Sequence, residues 1–342
     1  MSYRILLVAP SWIGDTIMAQ PLFQRLARQH ASLEIDALAP PWVAPLLARM
    51  PEIARIIDSP FRHGGLDWTT RRLIGEQLRD GHYDQAIVLP NSWKSALVPF
   101  HARIRKRTGY RGEARYFLLN DIHTLDTAKH PQLVQRYAAL AGPLDGGKLE
   151  ARLQSTPEQQ AAALAAHGLA ADAQPVIFCP GAEYGPAKRW PAEYYAALAQ
   201  RYGTAEQPVL LLGSPKDAPV GDEIVAQSKG TVRNLAGKTT LFEAIDLLAA
   251  ARLVVSNDSG LMHVAAALNR PLVAVYGSTS PGFTPPLADQ VEIVRLGLEC
   301  SPCFDRTCRF GHYNCLRQLE PQQVIGALQR LVGDPLALVE GD

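Results

Sequence analysis

The sequence predicts an α/β protein made of two consecutive domains, each built on a parallel sheet. Short apolar runs alternate with amphipathic stretches of helical period, which is the rhythm of repeated β-α-β units. This rhythm breaks off in a polar, Ala-rich region at 154–172 and starts again at Val176. The chain has 342 residues, which is enough for two domains of ordinary size.

Each predicted strand of the first domain is followed by a stretch of helical period. The strands lie at 4–9, 33–37 and 85–89, and the helical stretches at 17–28, 43–50 and 93–100. The second domain repeats the pattern, with strands at 176–179, 209–212, 253–256 and 272–276 and helices at 192–202, 241–250 and 261–268. We assign residues 1–165 to the first domain, 173–320 to the second, and 321–342 to a C-terminal helix and tail that could pack on either domain.

The composition excludes several classes of protein. Apolar residues make up 47% of the chain, which is ordinary for a packed globule and excludes disorder. The 34 Lys and Arg residues against 33 Asp and Glu argue against a dedicated nucleic-acid binder. No apolar run approaches the ~20 residues that span a bilayer, and the start lacks the long apolar region and cleavage site of a secretory signal. We therefore expect a cytoplasmic protein.

The first strand ends in a turn that contains Gly14 and Asp15 and leads into a helix. In an open parallel sheet this turn lies at the carboxyl edge, where ligands bind. Gly14 permits a close approach to the backbone, but the turn has no G-x-G-x-x-G pattern, so a dinucleotide fingerprint is absent. Asp15 is either a catalytic carboxylate or an acid that caps the helix.

The loop after the first strand of the second domain carries Gly181, Lys188 and Arg189, and a helix follows at Pro191. Backbone amides, the helix dipole and a cation would converge there on one anion. We therefore predict a phosphate site, with a solvated Lys-Arg pair as the alternative.

A third turn runs from Asp258 to His263, between a buried strand and a helix of small residues. Ser259 and Gly260 would expose amides where a diphosphate could lie. Asp258 could hold sugar hydroxyls, and His263, one turn into the helix, could reach a phosphate. Helix caps at Asp258 and Ser259 and a structural histidine are the alternatives.

These three segments carry a resemblance to a known family. Together with the Y-G-S-T-S-P segment at 276–281 and the C-S-P-C segment at 300–303, they are similar to the ADP-heptose:lipopolysaccharide heptosyltransferases over nearly the whole chain. The similarity is greatest to the branch that adds the second heptose of the inner core. It implies a GT-B fold, in which two Rossmann-like domains with parallel sheets face a central cleft.

The resemblance also implies a reaction. An inverting glycosyltransferase would move L-glycero-D-manno-heptose from ADP-L-glycero-β-D-manno-heptose to heptosyl-Kdo2-lipid A, with a neighbouring core acceptor as the alternative. Asp15 matches the base that removes the acceptor proton. Lys188 and the amides near Ser259 and Gly260 would stabilise the departing diphosphate, so no cofactor or metal is required for catalysis. The sequence also has no D-x-D pair at a strand end to hold a divalent ion.

Other donor contacts are expected near the same three segments. Asp258 fits a contact to the heptose and His263 a contact on the diphosphate side, whereas Gly14 and Gly181 allow the backbone to approach a ligand. Gly213 and Ser214 are placed to approach the adenosine. Asp217 and Asp222 both remain candidates for the acid that holds the ribose.

The acceptor implied by the resemblance is strongly anionic. Basic residues of the first domain could steer the protein to it, or to the inner leaflet of the cytoplasmic membrane, to which we expect peripheral attachment. They are Arg62, His63, Lys94, Arg103, Arg105, Lys106, Arg107, Arg111 and Arg115. Three tryptophans of this domain, Trp12, Trp68 and Trp93, could stack on sugars, although we expect at least one of them to pack in the core.

Four cysteines lie close together in the sequence, at Cys300, Cys303, Cys308 and Cys315. Their number suffices for a closed tetrahedral zinc site, but their spacing is tighter than in common zinc ribbons. A structural zinc ion, free thiols and a labile disulfide are therefore all open.

Two other functions fit parts of the sequence. A GT-B-type nucleotide-sugar 2-epimerase has the same two-domain layout, but it needs further acid and base carboxylates around the sugar, and none stands out. In a nucleotide-sugar-binding regulatory module, Asp15 would be only a helix cap.

Overall fold

The computed structural model describes residues 2–61 and 64–333, and the chain divides into two units at Ala151 and Arg152. Each unit contains a six-stranded sheet in which every pair of neighbouring strands is parallel. The predicted α/β class with two parallel sheets is thus confirmed.

The first unit has the strand order β3-β2-β1-β4-β5-β6. Its strands are β1 (Tyr3–Val8), β2 (Leu33–Ala39), β3 (Ile53–Asp58), β4 (Gln85–Val88), β5 (Lys106–Tyr110) and β6 (Asp121–His123). Its helices are α1 (Ile13–Gln29), α2 (Ala44–Leu47), α3 (Trp68–Gln77), α4 (Leu97–His101) and α5 (Leu133–Ala138), with 3-10 turns at Leu78–Gly81, Trp93–Ala96 and Ala139–Ala141. The order reverses between β1 and β4, and ligands of doubly wound sheets bind at such a switch point.

The core of the first unit explains why its central strand is apolar throughout. Ile5, Leu6 and Leu7 are successive residues of β1, and all three are fully buried. Successive side chains of a strand point to opposite faces, so both faces of this sheet are covered. Only the strand ends remain available for polar chemistry.

The second unit has the strand order β12-β11-β10-β7-β8-β9. Its strands are β7 (Val176–Cys179), β8 (Val209–Leu211), β9 (Val232–Asn234), β10 (Leu253–Asn257), β11 (Leu272–Val275) and β12 (Val291–Val294). Its helices are α6 (Pro157–Ala166), α7 (Ala192–Tyr202), α8 (Ala218–Gln227), α9 (Leu241–Ala250), α10 (Gly260–Ala267), α11 (Asn314–Arg317) and α12 (Pro321–Val332), with 3-10 turns at Pro186–Lys188 and Pro215–Asp217. Here the switch point lies between β7 and β10, which precede the loops that carry Lys188 and Asp258.

The boundary between the units differs from the one expected from the sequence. The sequence placed the end of the first domain at 165, whereas the first unit ends at Ala151. The reason is α6, which begins with a capping box at Thr156 and packs on α9 of the second unit. The C-terminal helix α12 also belongs to the second unit and packs on α7 and β12. The predicted tail at 334–342 lies outside the described residues.

One further property concerns membranes. Within residues 2–61 and 64–333, no helix has both the length and the apolar character needed to cross a bilayer.

Candidate active site

Asp15 lies in the first turn of α1, at the carboxyl edge of the first sheet. The N-cap position belongs to Trp12, whose carbonyl accepts hydrogen bonds from the amide and the hydroxyl of Thr16, each at 2.9 Å. Asp15 is therefore a first-turn acid and not the capping residue. The phenol of Tyr137 on α5 has a pKa well above its ordinary value, chiefly because it is buried and also because the negative charge of Asp15 lies near it.

Four of the five tryptophans follow the ends of the first four strands of the first sheet, and all of them are exposed. The exposed fractions are 47% for Trp12, 52% for Trp42, 47% for Trp68 and 36% for Trp93. The expectation that at least one of Trp12, Trp68 and Trp93 packs in the core is wrong. Large exposed rings beside a ligand edge are typical of sugar-binding surfaces, because one face of a sugar is apolar.

Trp42 is a residue that the sequence argument missed. Its indole Nε1 donates a hydrogen bond of 2.8 Å to the carbonyl of Ser11, in the turn that precedes Asp15. The ring is thus held beside the candidate base. The signal was available, because Trp42 follows β2 as Trp12 follows β1.

The basic residues of the first unit do not form one solvated face. Arg115 is buried, and its guanidinium donates to the carbonyls of Tyr110 and Pro90, both at 2.6 Å for the shortest bonds. Burial also lowers its pKa. The expectation that Arg115 belongs to an exposed basic face is wrong, because its donors are used to fix the loop after β5. Arg103, Arg105, Lys106 and Arg111 are exposed, Lys94 and Arg107 are half-buried, and Arg62 and His63 lie outside the described residues.

In the second unit, half-buried Lys188 and buried Asp258 form an ion pair with 2.7 Å between Nζ and Oδ2. Thr279 Oγ1 donates to the same carboxylate oxygen, and Lys188 Nζ lies 4.9 Å from the ring centroid of Tyr184. Lys188 is thus not part of a solvated pair. An ammonium group has three donors, so the bond to Asp258 leaves two that can contact an anion.

Of the two residues expected as helix caps in the turn after β10, only one caps the helix. Ser259 is the N-cap of α10, and its Oγ accepts a hydrogen bond of 3.4 Å from the amide of Met262. Asp258 does not cap the helix, because its carboxylate faces Lys188. Gly260 begins the helix, and first-turn amides have no partner within the helix. An anion beside Lys188 could therefore also accept hydrogen bonds from this turn.

His263 is a buried residue in the first turns of α10. Burial lowers its pKa to about 4, while nearby Asp258 raises it and Lys188 lowers it further. The imidazole is therefore neutral near pH 7 and has one N–H donor and one acceptor nitrogen. Among the described residues, Nδ1 has no hydrogen-bond partner. The sequence placed His263 on the diphosphate side, and the structure brings it close to the Lys188–Asp258 pair.

Asp217 shapes the loops that carry Gly181, Gly213 and Ser214. Its Oδ2 accepts bonds from the Ser214 amide at 2.9 Å and the Ser214 hydroxyl at 2.7 Å. Its Oδ1 lies 3.6 Å from the guanidinium of Arg189. A Cβ on Gly181 would come within 2.3 Å of the Asp217 carboxyl carbon, so only glycine fits there. Asp217 is committed to loop structure.

Asp222, the other candidate for the ribose, lies on the exposed side of α8. Its carboxylate accepts a hydrogen bond of 2.7 Å from the side-chain amide of Asn234. Of the two acids that the sequence left open, Asp222 is therefore the exposed one and Asp217 the buried one.

Asn257, at the end of β10, is a second residue that the sequence argument missed. It is fully buried, and its Oδ1 accepts hydrogen bonds from the amide of Trp190 at 3.1 Å and the hydroxyl of Tyr195 at 3.0 Å. Its Nδ2 donates to the carbonyl of Pro180 at 2.6 Å. One side chain thus ties the Lys188 loop to the Asp258 turn. A polar residue that ends an apolar strand was the available signal.

The cysteine-containing segment forms main-chain hydrogen bonds with Ser278, after β11, and with Ala187 in the Lys188 loop. The amides of Cys303 and Phe304 donate to the carbonyl of Ser278 at 3.0 and 2.7 Å, and the amide of Ala187 donates to the carbonyl of Arg306 at 3.1 Å. All five cysteines are free thiols. Within the described ranges, no group of three or more His, Cys, Asp or Glu side chains is arranged to hold a metal ion.

Several known proteins are similar to this chain in sequence and fold. The model of glycosyltransferase family 9 (heptosyltransferase) matches residues 71–314. The chain is 44% identical to lipopolysaccharide heptosyltransferase 2 of Escherichia coli strain K12, covering 96% of this chain and 98% of that protein. It is 48% identical to lipooligosaccharide heptosyltransferase 2 of Haemophilus influenzae, covering 86% and 88%. The solved structure of E. coli ADP-heptose lps heptosyltransferase II matches with a TM-score of 0.87 at 42% identity, covering 98% of this chain and 99% of that one.

The protein is a glycosyltransferase enzyme with a GT-B fold. This follows from the two parallel sheets with polar loops at their carboxyl edges, from the family match and from the similarity to that solved structure. The chain belongs to glycosyltransferase family 9, the heptosyltransferases. The resemblance stated from the sequence is confirmed at the level of the family.

Proposed function

We propose that this chain moves L-glycero-D-manno-heptose from ADP-L-glycero-β-D-manno-heptose to the heptosyl-Kdo2-lipid A inner core of lipopolysaccharide. The observation that carries the proposal is the ion pair of half-buried Lys188 with buried Asp258, beside the first turn of α10. It offers a cation and amides to a diphosphate and a carboxylate to sugar hydroxyls. The names of the relatives support heptose as the sugar, ADP as its carrier and lipopolysaccharide as the acceptor.

Asp15 is the proposed base of an inverting transfer. The acceptor hydroxyl oxygen attacks the anomeric carbon from the face opposite the diphosphate, and its proton passes to the Asp15 carboxylate. The bond between the anomeric carbon and the diphosphate oxygen breaks, and its electron pair leaves with ADP. One carboxylate suffices, because no covalent sugar intermediate forms.

The leaving ADP carries the charge that must be stabilised. Lys188 can donate two hydrogen bonds to the diphosphate while it keeps its bond to Asp258, and the amides near Ser259 and Gly260 can donate further ones. Neutral His263 adds one donor on the same side. We infer that these groups suffice without a divalent ion.

We also infer that the enzyme works in the cytoplasm, attached peripherally to the inner membrane. A lipid-anchored acceptor has to be met at a membrane surface, and the exposed arginines of the first unit support attraction to anionic lipid. No nucleic-acid partner is part of the proposal, since the chain carries a net charge of only +1.

The test is incubation with ADP-heptose and a panel of defined core acceptors, followed by mass spectrometry. We expect one added heptose on heptosyl-Kdo2-lipid A and a much slower reaction with Kdo2-lipid A, in the presence of excess EDTA as in its absence. Preference for Kdo2-lipid A or for a longer core would replace the proposed acceptor. Isomerised sugar nucleotide without transfer would indicate an epimerase, and binding without turnover a regulatory module. Loss of activity in EDTA that magnesium restores would overturn the metal-free account.

A further inference from the structure

A cavity of about 540 Å3 opens at the amino-terminal edge of the first sheet. Its lining includes Arg79, Phe100, His101, Arg103, Arg105 and Arg107. Arg79 precedes β4, and the three other arginines lie just before or at the start of β5, so this is the edge where the strands begin. Asp15 follows the carboxyl end of β1 in the same sheet. The cavity is therefore separate from the candidate active site.

The positive charge around this cavity is largely uncompensated. Arg103 and Arg105 are exposed and form no ion pair with any residue in the described ranges. The guanidinium of Arg107 donates only to main-chain carbonyls, at 2.6 Å to both Ile104 and Leu118. Arg79 has one carboxylate partner, Glu76, at 3.6 Å.

Among the described residues, Glu76 is the one acid that forms an ion pair with an arginine of this lining, and it is shared. Its Oε1 also lies 3.7 Å from the guanidinium of Arg72 on α3. Asp121 lies 3.6 Å from Lys106 and forms no ion pair with Arg103 or Arg105. A concave site with this surplus of guanidinium groups attracts an anion with several oxygens, because the planar fork of donors matches phosphate.

The aromatic residue in the lining favours lipid over other phosphates. Phe100 is 41% exposed, and the guanidinium carbon of Arg107 lies 5.7 Å from its ring centroid. An exposed ring among arginines suits a surface in which phosphates cover apolar material, as in a bilayer. A protein that binds nucleic acid would have a broader basic surface and a larger positive charge, whereas the net charge of this chain is only +1.

We propose that this cavity binds the phosphate groups of anionic phospholipids and docks the first unit on the membrane through the amino-terminal edge of its sheet. The inference rests on the proposed function, which supplies a lipid-anchored acceptor. Strands rise ~3.3 Å per residue, so the six residues of β1 separate the amino-terminal edge of the sheet from its carboxyl edge by about 20 Å. Docking in this orientation holds the Asp15 edge above the head groups, towards the sugar part of such an acceptor.

The test measures binding of the full chain to vesicles by flotation. One set contains phosphatidylcholine alone, and the other contains phosphatidylcholine and phosphatidylglycerol in equal parts. The test variant is Arg103→Glu with Arg105→Glu, and Arg103→Gln with Arg105→Gln is a milder second variant. The control is Arg28→Glu with Lys129→Glu, which changes the net charge equally at exposed positions of the same unit. Circular dichroism and thermal unfolding check that each variant folds.

We expect salt-sensitive binding to the phosphatidylglycerol vesicles and little binding to phosphatidylcholine. Each basic residue at an anionic surface contributes a factor of about five, so the Glu variant should bind at least ~25-fold more weakly, the Gln variant less so, and the control as the parent chain. An equal loss in the control would overturn the proposal, since net charge alone would then explain binding. Saturation of the site by inorganic phosphate without vesicle binding, or tighter binding of a single-stranded oligonucleotide, would overturn it as well.

The proposed function can fail separately. It is tested by transfer of heptose from the parent chain to a deacylated, soluble acceptor, which needs no membrane. Absence of transfer to both soluble and vesicle-embedded acceptor refutes the function. Transfer combined with unaltered vesicle binding by the Glu variant refutes only the docking site.

Discussion

Asp15 illustrates how a residue at a strand end can have either a structural or a chemical role. Its position in the first turn of α1 gives the helix a favourable charge. Trp12 holds the N-cap position, so the helix does not depend on an Asp15 side-chain cap. Replacing the carboxylate by an amide should therefore separate the two roles.

We predict that Asp15→Asn lowers the rate of heptose transfer by roughly 10²–10⁴-fold, because the proton acceptor is lost. The affinity for ADP, measured by calorimetry, should stay unchanged, and stability should change by only a few tenths of a kcal/mol, because Asn has nearly the same shape. Glu158→Gln, which removes the first-turn acid of α6, is the matched control and should retain full activity. Near-normal turnover of Asp15→Asn would leave Asp15 with its structural role alone.

A second residue-scale prediction concerns Lys188. We predict that Lys188→Ala weakens ADP binding by about 10- to 150-fold, because a buried charge-assisted bond to phosphate contributes about 1.5–3 kcal/mol. Calorimetry with ADP measures this. The variant should also be less stable to denaturant, since Asp258 is left buried without its partner.

The control for Lys188 is an exposed lysine of the same unit. Lys216 pairs with Glu183 at 2.5 Å, but 74% of its side chain is exposed. Lys216→Ala should change ADP affinity and stability little, because exposed ion pairs contribute about 0–1 kcal/mol. If Lys188→Ala binds ADP as tightly as the parent chain, Lys188 serves only to neutralise Asp258.

Contacts between residues that are distant in the sequence could not be predicted from the sequence. Strand ends in a parallel sheet share one edge, so the sequence could place Lys188 and Asp258 in one region. It could not show that they form an ion pair, because they lie 70 residues apart and their contact depends on the strand order. The burial of Arg115 could not be predicted for the same reason, since its shortest bonds go to main-chain carbonyls that carry no sequence signal.

At the scale of elements, apolar runs and helical period predicted the interior of the fold well. The helices at 192–202 and 241–250 and the strand at 176–179 have the predicted bounds, and the C-terminal helix begins at Pro321, as expected. The missed strands lie towards the sheet edges and are short or charged. The edge strands β6 and β9 have three residues each, and β5, which lies beside β6, begins with Lys106 and Arg107. Strands with one neighbour and partial exposure need no apolar run, so the pattern is missing there.

The loops of the second unit give a prediction about close contact. A Cβ on Gly181 would lie 2.3–2.6 Å from the three carboxyl atoms of Asp217, and Asp217 is held in place by Ser214. We predict that Gly181→Ala destabilises the protein by about 1–3 kcal/mol and weakens ADP binding, because the loop has to move. Chemical unfolding and calorimetry measure the two effects.

The matched control is a glycine with space around it. Gly326 lies within α12, where a Cβ would meet only the Arg330 side chain at 3.6 Å. Gly326→Ala should keep ADP affinity and raise stability by up to about 1 kcal/mol, because alanine favours helix. An equally mild result for Gly181→Ala would show that the loop accommodates a side chain.

At the scale of the whole molecule, buried His263 links stability to pH. Its pKa is about 4 in the folded chain and about 6.5 when unfolded. Between these values the unfolded chain binds a proton that the folded chain does not, so stability rises with pH and is lost as pH falls. Asp258 and Lys188 are the charged groups that face the imidazole.

We predict that the free energy of unfolding falls by about 2 kcal/mol from about pH 7 to about pH 5 through His263 alone, given its folded pKa of about 4. The glutamine in His263→Gln does not titrate. Over the same pH range, the free energy of unfolding of this variant should therefore fall by about 2 kcal/mol less than that of the parent chain. Denaturant titrations of both chains at the two pH values measure the difference. Parallel pH profiles would mean that folding does not lower the pKa of His263.

The sequence predicts two domains of one class, but it places the boundary between them at a different residue from the structure. A break in the apolar rhythm marked the junction at 154–172, and α6 lies inside that break. Its low apolar contrast, with a run of alanines, gives little sign of the face that packs on α9. Local pattern therefore located the junction, whereas tertiary packing decided to which side the helix belongs.

The main-chain bonds that join the cysteine-containing segment to Ser278 and to Ala187 in the Lys188 loop have an evolutionary consequence. The amides of Cys303 and Phe304 and the carbonyls of Ser278 and Arg306 carry these bonds, and every residue except proline offers the same amide. The thiols take no part in these bonds. Chains in which the four cysteines are replaced by residues other than proline should therefore keep the main-chain bonds at Ser278 and Ala187.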